Sequence, residues 1–534
     1  MAHWTVMKTS SLTLRRVVVW ALVIALLATM GLAAAAGTAQ AAPKYTLTAK
    51  GCGTTTTAKA CKITVTYKKG KTKVKKATAQ LQYFDSKKNK WVNQGKKFTV
   101  KKGKGSVSVK HTSVTDRIYR VKVGSTTSAS FKVSFVPATF TVKGSGFGHG
   151  AGMPQYGALG WLRANSGATY VDVLKHYYSA AALGTANNNP RTIKVQVLAP
   201  SRKTTTLSIT SGGFTVKDGN GRTLATTKSK KPITIGVSGS KVTAKVTTAD
   251  GGKKTVSAAR LVLTWGSSAT ATVAGADGSY RYGNLQVTVL KKLPNVVNEL
   301  RMNTEYLYGV SEMPSSWGRT TAGLQALKAQ AVAARTYTIV QVSRVNEKFG
   351  SGAADPACDC QVVASTDNIH FTGWKKAGGE DNEYWRRAVD ETMTATTVEI
   401  VRESAATGAG IAETTFYSAT GKGSGFGTGN NADVFGTTAL PYLASVADPY
   451  SATTAPASVN SWTKWPTVSQ AKATSLFGGP VKNLAVTERY PGGLVKTITA
   501  TLADGRTRPL TKTGTAWMRA LGMQSPWITS ITAR

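Results

Sequence analysis

Short stretches in which apolar and polar residues alternate constrain the fold of this 534-residue chain more than any other feature. Four of them are residues 62–67, 79–83, 105–109 and 117–123, joined by turns rich in Gly, Asn, Lys and Ser. A period of two predicts β-strands, and short strands at this spacing are typical of a β-sandwich. Residues 43–137 are therefore predicted to form an N-terminal β-sandwich.

The positive charge of the chain is concentrated in the same segment. The whole chain has 68 Lys and Arg against 25 Asp and Glu, a net charge of +43, and residues 44–137 contain 23 Lys and Arg but only the acids Asp85 and Asp116. Such a field calls for a polyanionic partner: nucleic acid, an anionic membrane or a wall polymer. The 41% of hydrophobic residues is too high for a disordered chain, and the sequence excludes an acidic solvating protein and a polytopic membrane protein.

The first 42 residues predict the compartment. Arg15 and Arg16 precede an apolar run over residues 17–36, and Ala39-Gln40-Ala41 has the form of a cleavage site, which together predict a secretory signal. The alternative is a retained anchor, because the run approaches the roughly 20 residues that span a bilayer. Either reading predicts a secreted, extracellular, wall-associated protein, with no nucleic acid as partner and no later membrane span.

The rest of the chain predicts a multidomain, β-rich α+β protein. Residues 138–190 are rich in Gly and aromatic residues and then helix-like, residues 191–295 are β-rich with Gly turns, and residues 296–534 contain the one strong helix and closing strands.

The strong helix follows residue 320. Five residues recur at helical spacing and predict one buried stripe: Leu324, Leu327, Ala331, Ala334 and Thr338. Thr320 or Thr321 is the expected N-cap. Lys328 and Arg335 project close to the stripe and are predicted to be half-buried.

Glu312, just before this helix, is the candidate catalytic acid. It is flanked by Met313, Pro314 and Trp317, and a carboxyl group held against apolar side chains loses hydration, which raises its pKa. Such a group can donate a proton to a leaving oxygen. Lys328 or Arg335 nearby would lower the pKa, and the alternative role is a loop Glu that caps or salt-bridges the helix start.

Residues 306–317 and 326–337 resemble the core signature of the SpoIID/LytB family of secreted sporulation and wall-remodelling proteins. The sporulation members of that family are lytic transglycosylases, and its LytB-type members enhance a wall amidase. The resemblance implies that Glu312, in the E-M-P motif, is the catalytic acid and base. It also implies substrate-binding residues in a groove: Lys328, Gln330, Arg335, Tyr417 and Ser418.

Residues 144–158 and 173–178 resemble the family's G-H-G and I-L-x-H-Y-Y elements, and they add His149 and Gln155 as expected substrate-binding residues. A structural His that bonds the loop backbone is the alternative for His149. In sporulation members this element follows the core, whereas here it precedes it, so a permuted SpoIID-like domain is predicted. The loop before Glu312 is about two residues shorter than in the family, and Lys422 replaces a Gly beside the Tyr417 motif. The N-terminal segment resembles Ig-like modules of bacterial surface proteins.

The four cysteines fall into two pairs. Cys52 and Cys61 lie nine residues apart in a predicted exported strand region, which predicts a local disulfide. Cys358 and Cys360 form a C-x-C, for which half a zinc site, free thiols and a strained bridge are the alternatives. Some sporulation members hold zinc through Cys and His here, but His370 is the one nearby His, so no cofactor is expected, with zinc as the alternative.

The expected function is a secreted peptidoglycan lytic transglycosylase that cleaves the bond between N-acetylmuramic acid and N-acetylglucosamine and leaves a 1,6-anhydro ring. Its expected partners are peptidoglycan glycan strands and anionic wall polymers. The alternative is a non-catalytic peptidoglycan-binding protein that enhances an N-acetylmuramoyl-L-alanine amidase, its further partner. A structural surface protein is the third possibility.

Overall fold

A computed structural model describes residues 45–188, 191–366, 368–404, 410–421, 427–460, 462 and 464–534. The predicted signal at residues 1–42 and Lys422 lie outside the described residues. Among the described helices, none combines the length and apolarity needed to cross a bilayer. The described residues divide into two compact units, of which the first comprises residues 45–55, 60–110 and 116–134, and the second comprises residues 56–59, 111–115 and the described residues between 135 and 534.

Residues 45–136 form ten strands because apolar side chains alternate with polar ones. In β3, for example, Ile63 and Val65 are buried, whereas Lys62 and Thr64 are exposed. The strands are β1 (Thr46–Lys50), β2 (Thr54–Thr56), β3 (Cys61–Lys69), β4 (Thr72–Lys73), β5 (Lys76–Asp85), β6 (Lys90–Lys101), β7 (Lys104–Val109), β8 (Thr115–Val123), β9 (Thr126–Thr127) and β10 (Phe131–Val136).

The hydrogen bonds of these ten strands run in the order β1-β3-β7-β6-β5-β8-β10-β2, with β4 on β3 and β9 on β8. The predicted short strands are confirmed. Because hydrogen bonds link all ten strands into one sheet, the division into two stacked sheets and the Ig-like topology stay predictions.

The second unit is built from small and medium-sized sheets with one long helix. Its strands are β11 (Thr139–Gly144), β12 (Met153–Pro154), β13 (Ala182–Asn187), β14 (Thr192–Leu198), β15 (Thr205–Ile209), β16 (Thr215–Asp218), β17 (Thr223–Thr226), β18 (Ile233–Ser238), β19 (Lys241–Thr247), β20 (Lys253–Ala258), β21 (Arg260–Thr264), β22 (Ala271–Val273), β23 (Ser279–Tyr280), β24 (Asn284–Leu290), β25 (Leu293–Arg301), β26 (Val362–Val363), β27 (Thr397–Arg402), β28 (Tyr417–Ser418), β29 (Thr467–Ser469), β30 (Val481–Arg489), β31 (Val495–Leu502), β32 (Thr507–Thr511) and β33 (Ile528–Ala533).

The helices of this unit are α1 (Gln155–Ala164), α2 (Tyr170–Tyr177), α3 (Thr321–Phe349), α4 (Trp374–Ala377), α5 (Asn382–Asp390), α6 (Asn431–Phe435), α7 (Tyr450–Thr454), α8 (Ala457–Asn460), α9 (Gln470–Phe477) and α10 (Gly514–Leu521). A π-helical turn at Met302–Tyr306 and short 3₁₀ helices at Ser315–Arg319 and Pro441–Leu443 complete the set.

The β-rich part of the second unit contains two larger sheets, in the orders β17-β16-β21-β24-β25-β14-β26 and β20-β19-β18-β15-β22-β23. Buried residues of these sheets and of α3 belong to one hydrophobic core. A second core lies under the closing strands, where β11 pairs with both β29 and β33. The beginning and the end of the second unit therefore share one sheet.

Helix α3 carries the predicted stripe, and all five of its residues are buried. The hydroxyl of Thr320 accepts a hydrogen bond from the Gly323 N–H at 3.1 Å, which confirms this residue as the N-cap. The first half of α3 is buried on nearly every side, because its many Ala residues allow close approach of neighbouring elements. Helix α3 is thus a rigid, largely buried element beside the loop that contains Glu312.

Candidate functional site

Glu312 lies in the short connection between the π-helical turn and the 3₁₀ helix, and its side chain is half-buried. Its Oε1 accepts a hydrogen bond from the His370 backbone N–H at 2.7 Å. Met313 is buried beside it, and the half-buried Trp317 ring contacts the Tyr156 ring at a centroid distance of 5.0 Å. The carboxyl group is therefore partly shielded from water and held by a fixed backbone donor.

Burial raises the pKa of Glu312 above its ordinary value. The His370 backbone N–H, the charge of His370 and the side chains of Gln155 and Tyr417 act in the opposite direction without cancelling it. The sequence left the net direction open between burial and a nearby cation, and in the structure burial prevails. A carboxyl group with a raised pKa holds a proton closer to neutral pH, and that is what a general acid needs.

Gln155 and Gln330 lie beside Glu312, although 175 residues separate the two amides in the chain. The Gln155 Nε2 donates to the Gln330 Oε1 at 3.3 Å, and both side chains are buried. The Gln330 Nε2 has no hydrogen-bond partner among the described residues. The structure thus brings two of the expected binding residues together next to the acid, with one amide donor unused.

Tyr417 reaches the same place through the pairing of two very short strands. Strand β12 pairs in parallel with β28, with Met153 opposite Tyr417 and Pro154 opposite Ser418. Burial, followed by the nearby Glu312 charge, raises the pKa of Tyr417 well above its ordinary value. Within the described part of the chain the Tyr417 hydroxyl makes no hydrogen bond, so it is a buried neutral donor beside the carboxyl group.

Ser418 and His149 have local partners. The buried Ser418 hydroxyl donates to the Thr420 carbonyl at 3.1 Å. The His149 Nδ1 accepts from the Ala151 N–H at 3.0 Å, and its ring also bonds the Tyr417 backbone. Burial lowers the pKa of His149 to about 4, so the ring is neutral at pH 7. This placement favours the structural alternative for His149, in which it fixes the glycine loop against Tyr417.

Arg335 is more buried than predicted, with 1% of its surface exposed. Its Nη1 donates to the carbonyls of Thr392 and Glu399, and its Nη2 donates to the Val389 carbonyl and the Thr392 hydroxyl, each at 3.1 Å. Burial lowers its pKa to about 10, where it is still charged at pH 7. These bonds favour a structural role, because the guanidinium already donates to backbone carbonyls and to the Thr392 hydroxyl.

Lys328 forms an ion pair with Glu391 at 2.5 Å and lies 5.6 Å from the centre of the Tyr170 ring. Its side chain is 13% exposed, so it is nearer to full burial than the predicted half-buried state. Neither Lys328 nor Arg335 is among the groups that change the Glu312 pKa. The two predicted cations are therefore not brought to the carboxyl group.

Two neighbours of Glu312 were missed as site residues. The His370 ring lies between the Ser311 carbonyl at 3.2 Å and the Asp277 carboxylate at 3.1 Å, which positions the backbone N–H that binds Glu312. The Lys376 Nζ donates to the Met313 carbonyl at 2.6 Å, and burial lowers its pKa to about 8. The pairing with Asp277 joins residues 93 apart, and no local pattern signals it.

A cavity of about 510 Å³ lies next to this cluster. Tyr337 and Phe416 line the cavity. Burial raises the pKa of Tyr337, the charge of Arg344 lowers it, and the charge of Glu312 raises it further. Amide, hydroxyl and charged side chains complete its wall: Gln341, Arg344, Glu413, Thr414, Asn431, Thr437 and Thr438. Polar groups with aromatic faces suit a saccharide or another highly hydroxylated ligand.

The structure joins Cys52 to Cys61, as predicted, and Cys358 to Cys360. Of the alternatives for Cys358 and Cys360 the structure has the bridge, which offers no thiolate to a metal, and the zinc alternative stays a prediction. Asp359 between them pairs with Arg260 at 2.8 Å, which fastens the loop to β21. Among the described residues, no three His, Cys, Asp or Glu side chains are grouped to hold a metal ion.

Comparisons with known proteins match the part of the chain that contains Glu312. Residues 291–398 match the family described as SpoIID, Stage II sporulation protein. A stretch of 92 residues is 37% identical to the amidase enhancer of Bacillus subtilis strain 168, covering 16% of this chain and 13% of that protein. A stretch of 61 residues is 39% identical to stage II sporulation protein D of Bacillus amyloliquefaciens, covering 11% of this chain and 17% of that protein.

The matched stretches thus span well under a fifth of the length of these relatives. Among solved structures, the Yersinia pseudotuberculosis adhesin InvE aligns over 67% of this chain and 97% of its own, at 9% identity and a TM-score of 0.13. A score this low carries no argument about the fold.

Proposed function

We propose that the protein is a peptidoglycan lytic transglycosylase of the SpoIID/LytB family, because residues 291–398 match the SpoIID family and two short stretches are similar to an amidase enhancer and a stage II sporulation protein D. The observation that carries the proposal is the Glu312 carboxyl group, desolvated, held by the His370 N–H and close to the Gln155 and Tyr417 side chains, with an unused Gln330 amide donor next to Gln155. The names of the relatives support a peptidoglycan-related role in sporulation.

The proposed reaction uses one carboxyl group twice. Glu312 first gives its proton to the oxygen that bridges C1 of N-acetylmuramic acid and C4 of N-acetylglucosamine, and the C1–oxygen bond breaks. The resulting carboxylate then takes the proton of the muramyl 6-hydroxyl, whose oxygen bonds to C1 and closes the 1,6-anhydro ring. No external water is activated, so the second carboxylate of an ordinary glycosidase is not required.

The surroundings of Glu312 fit both halves of that cycle. Burial favours the protonated form before the first step, and the His370 N–H stabilises the carboxylate formed by it. The Tyr417 hydroxyl and the Gln330 amide are free to bind sugar hydroxyl or acetamido oxygens. The cavity beyond Tyr337 offers room for a neighbouring sugar residue.

The test is digestion of purified glycan strands followed by mass spectrometry of the fragments. Wild type is expected to release anhydromuramyl ends, and Glu312→Gln is expected to release none. The matched control is Glu347→Gln, which changes an exposed Glu near the C-terminal end of α3. Anhydromuramyl products from Glu312→Gln would reject the proposed role of this carboxyl group.

An amidase-enhancing role is the second candidate, and the similarity to a protein named amidase enhancer favours it. Lys328 pairs with Glu391 and Arg335 donates to backbone carbonyls, so both cations are used inside the protein. This leaves fewer charges for a substrate and fits the enhancing role as well. An amidase assay with whole walls separates the two candidates: enhancement that survives Glu312→Gln supports the non-catalytic role.

We further propose that residues 1–42 are a secretory signal, that the protein acts outside the cell at the wall, and that the basic first unit contributes wall affinity. A secretion assay that compares the full chain with one lacking residues 1–42 tests the first two points. Retention of the full chain inside the cell would contradict them.

A further inference from the structure

Six lysines of the first unit lie on one side of five neighbouring strands of its sheet. Strands β1, β3, β7, β6 and β5 are consecutive neighbours, and paired residues point to the same side of a sheet. Lys50 pairs with Thr64, which lies two residues from Lys62 on the same side of β3. We name the set of exposed residues found in this way the lysine face: Lys50, Lys62, Lys68, Lys76, Lys101 and Lys104.

The register connects the remaining members across the sheet. Lys104 lies opposite Thr66, two residues from Lys68, and Lys104 is in turn opposite Lys101, which is opposite Lys76. Three lysines thus stand side by side on three neighbouring strands. Like charges directly opposite each other destabilise a sheet. This row of lysines therefore opposes folding, and a contribution to the stability of the fold does not explain its presence.

Nothing in the unit neutralises the lysine face. Residues 45–84 and 86–115 contain no acid, Asp85 accepts from the Lys87 and Lys88 backbone N–H groups, and Asp116 pairs with Lys132. None of the six ammonium groups forms an ion pair within the described residues. The face is therefore a preformed, uncompensated field of positive charge.

Hydroxyl groups fill the positions between the lysines. On the same side of β3 and β7 lie Thr64, Thr66, Ser106 and Ser108. Five strands about 4.8 Å apart give the face a width of roughly 19 Å, and six residues along β3 give it a length of about 20 Å. The paired strands point their aromatic and aliphatic residues, such as Tyr67 and Val65, to the buried side.

We propose that the lysine face binds a linear phosphodiester polymer with hydroxylated repeating units, of the poly(glycerol phosphate) type. Ammonium groups neutralise the phosphates, and the Thr and Ser hydroxyls bond phosphate oxygens and the hydroxyls of the polymer. Phe84 and Trp91 lie on the same side at the far end of β5 and β6, but the positions between the six lysines hold no aromatic residue, which argues against single-stranded nucleic acid, since that binds through base stacking. The choice of a wall polymer rests on the proposed wall function, whereas the binding surface itself does not.

The test measures the affinity of the full chain for poly(glycerol phosphate) by calorimetry over a range of NaCl concentrations. The triple variant Lys76→Gln, Lys101→Gln, Lys104→Gln is compared with Lys87→Gln, Lys88→Gln, Lys90→Gln, which removes the same charge from exposed residues at the β5–β6 turn. The face variant is expected to bind about tenfold or more weakly at 0.15 M salt, with a salt slope lower by about two to three, while the control stays within about threefold of wild type.

Equal losses in the two triple variants, or none in either, would overturn the proposal, since only total charge or another surface would then matter. Single-stranded DNA or anionic vesicles that bind as tightly as the polymer would overturn the choice of ligand. The face variant is expected to melt no lower than wild type, because it relieves repulsion. Glu312→Gln should bind the polymer normally, so failed binding and failed glycan cleavage report on different proposals.

Discussion

At the residue scale, the account depends on how Glu312 is held. Its carboxyl group is set in apolar surroundings and bonded to a backbone N–H whose position follows from the His370–Asp277 contact. The motif identified the residue and the desolvation by its neighbours close in sequence, but the net direction of its pKa also depends on His370, Gln155 and Tyr417, which are distant in the chain. The donor from His370 comes from 58 residues away and is beyond the reach of local pattern.

The raised pKa of Glu312 predicts a pH-dependent stability. A carboxyl group whose folded pKa exceeds its unfolded pKa stabilises the fold when protonated, and that contribution is lost as the pH rises through the folded pKa. Glu312→Gln, which cannot ionise, should therefore raise the melting temperature at pH 7–8 and make little difference at pH 3–4. Thermal denaturation at both pH values checks this. A larger gain in acid would contradict the stated direction.

Arg335 gives a prediction that separates structure from substrate binding. Arg335→Met removes a hydrogen-bond donor from the carbonyls of Val389, Thr392 and Glu399 and should cost about 3 kcal/mol or more in unfolding free energy. Arg335→Lys keeps the charge but lacks the planar fork and should recover part of the loss. Denaturant unfolding measures both. Weaker glycan binding at unchanged stability would restore the groove role implied by the family resemblance.

At the element scale, the site depends on the pairing of β12 with β28. The strands contain two residues each, yet they join Gln155 and Tyr417 to one cluster with Glu312. Alternating strands and the α3 helix were predictable, because their periods are local. This parallel pairing was not, since it bridges more than 260 residues and each strand is too short to show a period.

Gly152 is the point at which the pairing can be broken. It has φ of +70°, and an added Cβ would lie 1.9 Å from the Phe416 carbonyl oxygen. Gly152→Ala should displace Tyr417 from Glu312 and lower glycan cleavage at least about tenfold, equivalent to 1.4 kcal/mol. Gly167→Ala is the matched control, because Gly167 has φ of +82° and no atom within 4 Å of the added Cβ.

The Gly167→Ala control should lose about 1 kcal/mol of stability or slightly more through backbone strain and keep its activity. Cleavage assays and unfolding curves on both variants decide the matter. Full activity in Gly152→Ala would mean that the β12–β28 pairing does not position the site.

At the scale of the whole molecule, the two proposed activities, polymer binding and glycan cleavage, are assigned to two different compact units. The first unit carries the uncompensated charge, and the second carries the carboxyl group, the central helix and the cavity. The charge was evident from composition, but its concentration on one face became visible only through the strand register. The sheet shared by β11, β29 and β33 fits a permuted domain, which stays a prediction.

This division predicts different salt responses for the two tasks. Sedimentation with whole walls should fall steeply as NaCl rises from 0.05 to 0.3 M, because polyanion binding releases counterions. Cleavage of soluble glycan without anionic polymer should change by less than about threefold over that range, since the buried Glu312 is weakly screened. Parallel curves in the two assays would argue that both depend on the same charges.

The most direct measurement is mass spectrometry of purified glycan strands after incubation with wild type, Glu312→Gln and the Glu347→Gln control. Anhydromuramyl ends from wild type and Glu347→Gln, with none from Glu312→Gln, are the predicted result. Intact strands with all three proteins, or equal products from all three, would contradict a proton shuttle at Glu312.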